Sequence, residues 1–354
     1  MEMNNTREAK EQAGSRSMRA ADRLGNAFHL EYIQCPICQQ DQAKELGLRG
    51  GKYQRLKLGI ETTVVRCCGC GLLYPNPFPF PEDPQHLYSK PEKYFEHHSI
   101  SEKITSGKEL LEQIRIKTGR NCPNVLDVGS GRGELLKAAK DSGLARAVGL
   151  EFSPAMIEYA GGTWGIDVRL QSIEEHADGN AGAYDAVVLN AVLEHVYRPD
   201  LMIGAAARLL RRDGLLYIDC PNEPNLLTMA YALLARVRRS HAVLNLAPTF
   251  PPFHVFGFNP RSLTVLLAKN GLNVERISLR GGPLSFRPVG FVDTVKASVA
   301  NRINAIANIT GTAHNMTVWA RLVRDPQADN RHLVGTQTTT TDEGWNLQSL
   351  DDNG

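Results

Sequence analysis

The pattern of apolar and polar positions becomes regular at Asn124. From there on, short apolar runs of strand length alternate with amphipathic stretches of helix length. The apolar runs are NVLDVG (124–129), AVGLE (147–151), IDVRL (166–170), YDAVVLN (184–190) and LLYIDC (215–220). Strands that alternate with helices predict a mostly parallel sheet with both faces covered, which is a doubly wound, Rossmann-like α/β fold.

The remaining elements follow from the same pattern. Two later runs, Asn273–Leu279 and Met316–Val323, bring the predicted sheet to seven strands. Helices are predicted at Lys103–Lys117, Glu134–Ser142, Pro154–Gly161, Pro199–Leu210 and Pro260–Asn270. The segments at about 224–258 and 289–310 interrupt the alternation, and we interpret them as helical lid insertions.

The chain is predicted to divide into four parts. Residues 1–28 and 325–354 are polar and aperiodic, which is typical of disordered tails. Residues 29–80 hold two cysteine pairs and form a small N-terminal module, which ends in a proline-rich run typical of a stiff linker, YPNPFPFPEDP. Residues 81–324 form the main domain.

Composition narrows the classes of function. The formal net charge of +2 gives no strong field that would attract nucleic acid. No apolar run reaches the length of a membrane span, and the N-terminal segment has no apolar signal core. We therefore expect a cytoplasmic protein without a strong general attraction to nucleic acid or membranes.

A glycine-rich turn follows the first strand of the main domain and is the most informative motif. Gly129, Gly131 and Gly133 are spaced by two, and a predicted helix begins directly after them. Such a turn lets the backbone approach a ligand closely. Asp127 lies at the end of the strand, where a carboxylate would repel a pyrophosphate but suits a ligand with an amino group. Glu151 ends the next strand, where an acid can bind ribose hydroxyls.

Four blocks in sequence order resemble the motifs of class I S-adenosylmethionine-dependent methyltransferases. They are VLDVGSGRGELL, GLEFS, YDAVVLNAVLEHV and LLRRDGLLYIDCPN, and the resemblance covers about residues 103–280. It implies that the glycine turn contacts the methionine part of the cofactor, that Glu151 binds ribose, that Gln171 to Ile173 flank the adenine and that Asn190 lies near the amino acid part. The cofactor residues so expected are Asp127, Gly129, Ser130, Gly131, Gly133, Glu151, Phe152, Ser172, Ile173 and Asn190.

Candidates for the acceptor site lie outside the cofactor motifs. Glu194 and His195 follow the fourth strand, and His254 lies in an aromatic segment, FHVFGF. Either histidine could remove a proton from an acceptor hydroxyl, or each could merely stabilise a turn. Tyr94 and Phe95 could close over the cofactor. For the turn with Asp219, Asn222 and Glu223, a surface location is favoured over contact with the acceptor.

Two cysteine pairs in the N-terminal module predict a metal site. Cys35 and Cys38 form one C-x-x-C turn, and Cys67 and Cys70 form the other. Four thiolates on two such turns suit a tetrahedral, structural Zn²⁺ site without an open position. Cys68 is the alternative to Cys67 as a zinc ligand, but Cys67 is preferred. Cys122 and Cys220 are expected to pack beside strands.

The sequence leaves several functions open. A small-molecule or sugar acceptor is favoured, and methylation of oxygen slightly over carbon, because two histidines are available as bases. The alternatives are an RNA methyltransferase that binds RNA through its zinc module, and a non-catalytic scaffold.

The apolar helix predicted at Leu226–Arg239 ends in arginines. It is interpreted as a lid packed on the core. The alternatives are that it lines an acceptor channel, binds an anionic substrate or lies on a membrane surface.

Overall fold

A computed structural model describes residues 18–22, 27–83, 87, 99–281 and 291–323, except for the side chains of 18, 291–297, 299 and 300. Two small antiparallel sheets come first. One contains β1 (Met18–Ala21), β2 (Ala27–Glu31) and β6 (Phe78–Pro81). The other contains β3 (Ala43–Arg49), β4 (Thr62–Cys67) and β5 (Leu73–Pro75).

Two predictions for the N-terminal region are therefore wrong in part. Met18–Ala21, within the predicted tail, pairs with β2. The proline-rich run is not a linker, because Phe78–Pro81 forms a strand that pairs with β2. This strand lies at the edge of its sheet, where the missing proline N–H groups break no central ladder. Its Phe78 side chain is fully buried, so apolar packing holds the run in place.

A seven-stranded sheet forms the centre of the main domain, as predicted. Its strands are β7 (Asn124–Val128), β8 (Arg146–Glu151), β9 (Val168–Leu170), β10 (Tyr184–Asn190), β11 (Leu210–Pro221), β12 (Leu272–Arg280) and β13 (Asn315–Leu322). They are arranged in the order β12-β13-β11-β10-β7-β8-β9. β13 runs antiparallel to both its neighbours, and the other strand pairs are parallel. The mostly parallel α/β fold is thus confirmed.

The helices match the predicted spacing and differ mainly at their ends. They are α1 (Ile100–Thr118), α2 (Glu134–Ser142), α3 (Pro154–Trp164), α4 (Ile173–Ala177), α5 (Pro199–Leu209), α6 (Leu226–Val237), α7 (Pro260–Lys269) and α8 (Phe291–Thr310). α1 begins three residues earlier than predicted because the Ser99 hydroxyl accepts a hydrogen bond from the Glu102 amide. The short helix α4 was not predicted. No helix in the described part of the chain is both long and apolar enough to cross a bilayer.

The cysteine module and the main domain share one hydrophobic core. Cys35, Leu72 and Tyr74 belong to the same buried cluster as Leu126 and Ile218 of the central sheet. Leu73 and Gly257 also exchange backbone hydrogen bonds, 3.0 and 2.9 Å long. A side chain at Gly257 would place its Cβ within 3.0 Å of the Leu73 Cβ, so glycine is required for this approach. The module is therefore part of the wall of the main domain.

Helix α6 departs from its expected role as a lid packed on the core. Only Thr228 and Ala235 of this helix are buried. Leu233 and Val237 are 63% and 75% exposed. The prediction that this helix packs its apolar residues on the core is therefore wrong, and its outer face needs another explanation.

Candidate functional site

The candidate site lies at the carboxyl ends of β7 and β10. The chain continues from β7 to β8 and β9 on one side, while β10 and β11 lie on the other, so the strand order reverses here. Ligands of open α/β sheets bind at such a switch point. The glycine turn follows β7, Glu151 is the last residue of β8 and Glu194 follows β10, so the topology brings the main sequence motifs to one end of the sheet.

The glycine turn has the conformation that the sequence predicted. Gly129, Gly131 and Gly133 all have positive φ, at 66°, 56° and 80°. A Cβ on Gly129 would lie 2.7 Å from Cγ2 of Val192, so the turn touches the segment that leads to Glu194 and His195. Ser130 is buried, and its hydroxyl has no hydrogen-bond partner among the described residues. This orphaned hydroxyl beside the turn fits a polar ligand group.

Glu151 holds the glycine turn against the end of β8. One carboxylate oxygen accepts a hydrogen bond from the Gly131 amide at 2.8 Å. The other accepts from the amides of Phe152 and Ser153, at 2.8 and 2.9 Å. Three amides thus fix the carboxylate in place and occupy about three of its four acceptor positions, so the position left on the oxygen that faces Gly131 can accept from a ribose hydroxyl. Phe152 and Leu170 are 61% and 62% exposed at the ends of β8 and β9. They offer an apolar surface against which a nucleobase could pack.

A buried group of charged residues surrounds Asp127, and sequence reasoning missed most of it. Burial, followed by the charges of Glu134 and Glu151, raises the pKa of Asp127 to about 8. Arg132, inside the glycine turn, pairs with Glu134 at 2.6 Å, and both are buried. Lys103 of α1 offsets part of the Asp127 shift. A charged residue between two glycines of a ligand loop is the signal that could have revealed Arg132.

Replacement of Asp127 by asparagine is expected to raise stability and lower cofactor affinity. Between about pH 4 and pH 8 the folded protein keeps a proton on Asp127 that the unfolded chain releases, so stability falls as pH rises through this window. The variant should remove this loss, by about 2–4 kcal/mol at pH 8. Thermal unfolding at pH 5 and pH 8, with calorimetric titration of S-adenosylmethionine, would measure both effects. Equal stability changes at the two pH values would contradict the assigned cause.

The residues expected near the adenine are only partly available to a ligand. The Ser172 hydroxyl accepts a hydrogen bond from the Glu175 amide and caps α4. The Ile173 side chain is buried in the core, so its main-chain atoms alone remain for the adenine. Asn190 is exposed at the end of β10, next to Asp219 of β11. The contacts of Ser172, Ile173 and Asn190 with the cofactor stay predictions. Tyr94 and Phe95 lie outside the described residues.

Glu194, His195 and His254 come together, although 59 residues separate the two histidines in the chain. The carbonyl of Glu194 accepts hydrogen bonds from the amides of Val255 and Phe256, at 2.9 and 3.3 Å. This pairing places His254 next to His195, and the centroids of the two imidazole rings lie 4.8 Å apart. Each Nε2 atom is 3.9 Å from Oε1 of Glu194. That separation is too long for a direct hydrogen bond. It leaves room for one ligand oxygen that could form hydrogen bonds with all three groups.

Burial sets the protonation of these three residues. It raises the pKa of Glu194 to about 8, with a further contribution from Asp219. It lowers the pKa of His254 to about 4, and together with the His254 imidazole it lowers the pKa of His195 to about 3. At neutral pH both imidazoles are therefore uncharged and can accept a proton. Oε2 of Glu194 has no hydrogen-bond partner in the described structure, although the residue is buried.

The turn after β11 is more buried than the favoured surface location implies, with Asp219 and Glu223 half-buried. Asn222 is buried and donates to the Ala313 carbonyl at 2.8 Å. Glu223 accepts hydrogen bonds from Thr228 of α6 and from Asn245. Burial raises the pKa of Glu223 to about 7, against the effect of these two donors. Glu223 thus connects α6 to the loop that carries His254, and an acid directly after a predicted strand was its signal in the sequence.

The four cysteines predicted as metal ligands form one cluster. Their sulfur atoms all lie within 4.8 Å of one another, and the shortest separations are 3.3 Å for Cys38–Cys67 and 3.5 Å for Cys35–Cys70. Four thiolates at these distances fit a tetrahedral ion. Cys68 is exposed, which supports the choice of Cys67. Cys220 is buried as expected, but Cys122 is exposed, so the prediction that it packs beside a strand is wrong.

Comparisons with known proteins agree with the geometry. Residues 95–277, just over half of the chain, match a family described as a methyltransferase domain. A ubiquinone biosynthesis O-methyltransferase of Xanthomonas axonopodis pv. citri is 32% identical over 174 residues, which are 48% of this chain and 70% of that protein. Its counterpart in Xylella fastidiosa is 32% identical over 173 residues, 48% of this chain and 68% of that protein.

A solved SAM-dependent methyltransferase from Archaeoglobus fulgidus, at 19% identity and a TM-score of 0.45, covers 68% of this chain and 100% of its own. The family match spans the glycine turn, Glu151 and the Glu194–His195 pair, which the fold gathers at one end of its sheet. The chain therefore belongs to the methyltransferase domain family and is a class I S-adenosylmethionine-dependent methyltransferase.

Proposed function

We propose that the protein methylates a hydroxyl oxygen of a small-molecule acceptor, with a sugar-linked compound among the candidates. The observation that carries this proposal is that two uncharged imidazoles and a buried carboxyl group lie together beside the glycine turn. Methylation of a hydroxyl requires a base near the attacking oxygen, and this cluster supplies one. The names of the Xanthomonas and Xylella relatives, which state O-methylation in ubiquinone biosynthesis, support the same class of reaction.

The residues at the switch point fit S-adenosylmethionine. The orphaned Ser130 hydroxyl and the glycine turn would hold the methionine part, Asp127 would bind its amino group, and Glu151 would accept from the ribose. Bound cofactor supplies an electrophilic methyl group and departs as a neutral sulfide. The chain itself needs only to orient the acceptor, exclude water and accept one proton.

The acceptor oxygen is placed between Glu194 and the two histidines. There it can donate its hydrogen bond to Nε2 of His254, the more exposed imidazole, and that nitrogen accepts the proton as the new oxygen–carbon bond forms. Glu194, which is largely protonated at neutral pH because its pKa is about 8, lies 3.9 Å from the same nitrogen and can donate its carboxyl O–H to the acceptor oxygen to orient it. The contact of Gly129 with Val192 keeps this cluster next to the cofactor turn.

Zinc is the second group that the chain is proposed to bind. Cys35, Cys38, Cys67 and Cys70 would hold it, and a site closed by four thiolates leaves no position for a substrate. Its contribution is structural, because the cysteine module shares the core of the main domain.

Replacement of His254 by glutamine is expected to lower methyl transfer about a hundredfold or more while S-adenosylmethionine still binds. The assay would offer phenolic compounds, nucleotide sugars and RNA with radiolabelled cofactor, and would test the product for an O-methyl group. Because the pKa of His254 is about 4, the rate of the wild-type enzyme should not fall with acidity until below about pH 5.

A matched control separates this role from folding. His314, another partly buried histidine, lies after α8, and His314→Gln should retain the wild-type rate. Methylation of RNA alone, or full activity of the His254 variant, would refute the proposed function.

A further inference from the structure

The outer face of α6 is an exposed apolar surface. It takes no part in the cofactor site or in the cluster of Glu194, His195 and His254. The helix exposes five large apolar side chains: Leu227, Met229, Leu233, Leu234 and Val237. Helix α8 packs against α6 and exposes Ile306 and Ile309, the latter to 86%. Large apolar side chains gathered on one helix mark an interaction site, because single exposed residues are common and clusters are not.

Positive charge accompanies this face. Arg236, Arg238 and Arg239 are exposed at the end of α6, and Arg302 is exposed on α8. The sequence has no Asp or Glu from Pro224 to Val274, although the chain as a whole has a net charge of only +2. Helix α6, with its exposed apolar face, the arginines at its end and no acidic residue, complements a surface that has an apolar interior and anionic headgroups.

We propose that the α6–α8 face, meaning the exposed side chains of these two helices, docks on an anionic lipid bilayer. Leucine, methionine and valine side chains enter the boundary between headgroups and acyl chains, while the arginines bind lipid phosphates. The helix lies on the membrane and does not cross it, because its 12 residues are too few for a span.

The docking face is coupled to the acceptor site. Thr228 of α6 donates to Glu223, which also accepts from Asn245 in the loop that leads to His254. The first turn of α6 is also held by a 2.9 Å hydrogen bond from the Leu226 amide to the Thr312 carbonyl, just after α8. The acceptor is accordingly assigned to compounds that partition into a bilayer or are tethered to it. This last assignment rests on the proposed function, whereas the docking is tested without any acceptor.

The test is co-sedimentation of the full-length protein with vesicles of phosphatidylcholine, with or without phosphatidylglycerol. We expect sedimentation with the anionic vesicles only, and less of it at high salt. The double variant Leu233→Ser/Val237→Ser should weaken binding at least about tenfold. Arg236→Gln/Arg238→Gln should weaken it mainly at low salt. All four side chains are exposed, so the variants should fold like the wild type.

The control removes equally exposed apolar residues elsewhere. Leu56→Ser/Ile116→Ser, at positions 70% and 66% exposed, should bind vesicles like the wild type. Equal loss in this control, or no binding of the wild type to anionic vesicles, would overturn the proposal. So would a wild-type dimer in sedimentation velocity that the Leu233/Val237 variant abolishes while vesicles are not bound, since a second copy would then cover the face. None of these outcomes depends on methyl transfer.

Discussion

Replacement of Glu151 by glutamine should weaken S-adenosylmethionine binding by about a hundredfold or more. A hydrogen bond to a charged group contributes about 1.5–3 kcal/mol, and the bond from a ribose hydroxyl to the carboxylate would be lost. The glycine turn would also be disturbed. One carboxylate oxygen accepts from the Gly131 amide, and the other accepts from Phe152 and Ser153. Since glutamine has only one acceptor atom, its NH₂ group would face an amide donor on one side.

Calorimetric titration with the cofactor would measure this loss. Glu158→Gln is a matched control, because Glu158 is an exposed acid on the neighbouring α3 and should leave the affinity unchanged. A variant at Glu151 that binds the cofactor as tightly as the wild type would show that ribose is held elsewhere. In that case the main-chain groups of the turn would have to account for the binding.

Replacement of Cys67 by serine should abolish stoichiometric zinc binding and lower the melting temperature by about 10 °C or more. Cys67 is buried in the four-sulfur cluster, 3.3 Å from the Cys38 sulfur. Without it the proposed zinc ion would lose one of its four ligands, and the Cys38 thiol would lose its closest sulfur neighbour. The damage should spread, because Cys35 and Tyr74 belong to the core of the central sheet. We therefore expect one lowered transition for the whole protein.

The neighbouring residue provides the control for this prediction. Cys68→Ser changes an exposed cysteine one position away and should retain one zinc per chain and the wild-type melting temperature. Metal content by plasma mass spectrometry and unfolding by scanning calorimetry give the two readouts. Equal losses in both variants, or zinc retained by Cys67→Ser, would refute the assigned ligand set.

The loop that carries His254 explains why loss of the proposed zinc ion should also reduce methyl transfer. Gly257 pairs with Leu73 of the cysteine module, and Val243 with Leu48, so the module flanks both sides of His254 along the chain. The carbonyl of Glu194 holds the same loop from the other side. His254 is therefore positioned by two elements that are distant in sequence, and each is needed to keep its imidazole beside Glu194.

The sequence was sufficient for those features that depend on local patterns. Alternating apolar runs and amphipathic stretches predicted the seven strands and most helices, because the period of apolar residues follows the geometry of each element. Glycines at Gly129, Gly131 and Gly133 predicted the turn, since positive φ is costly for other residues. The spacing of the cysteines likewise predicted their cluster, because a C-x-x-C turn brings two sulfurs together locally.

Contacts between distant segments needed the folded chain. The proline-rich run looked like a linker because proline lacks an N–H group, yet a free sheet edge accommodates it beside β2. His254 reaches His195 only through the pairing of Val255 with Glu194, which no local period encodes. The apolar side chains of α6 are equally compatible with a core and with a surface. Tertiary packing left them exposed, because which face of a helix is covered depends on its neighbours and not on its own sequence.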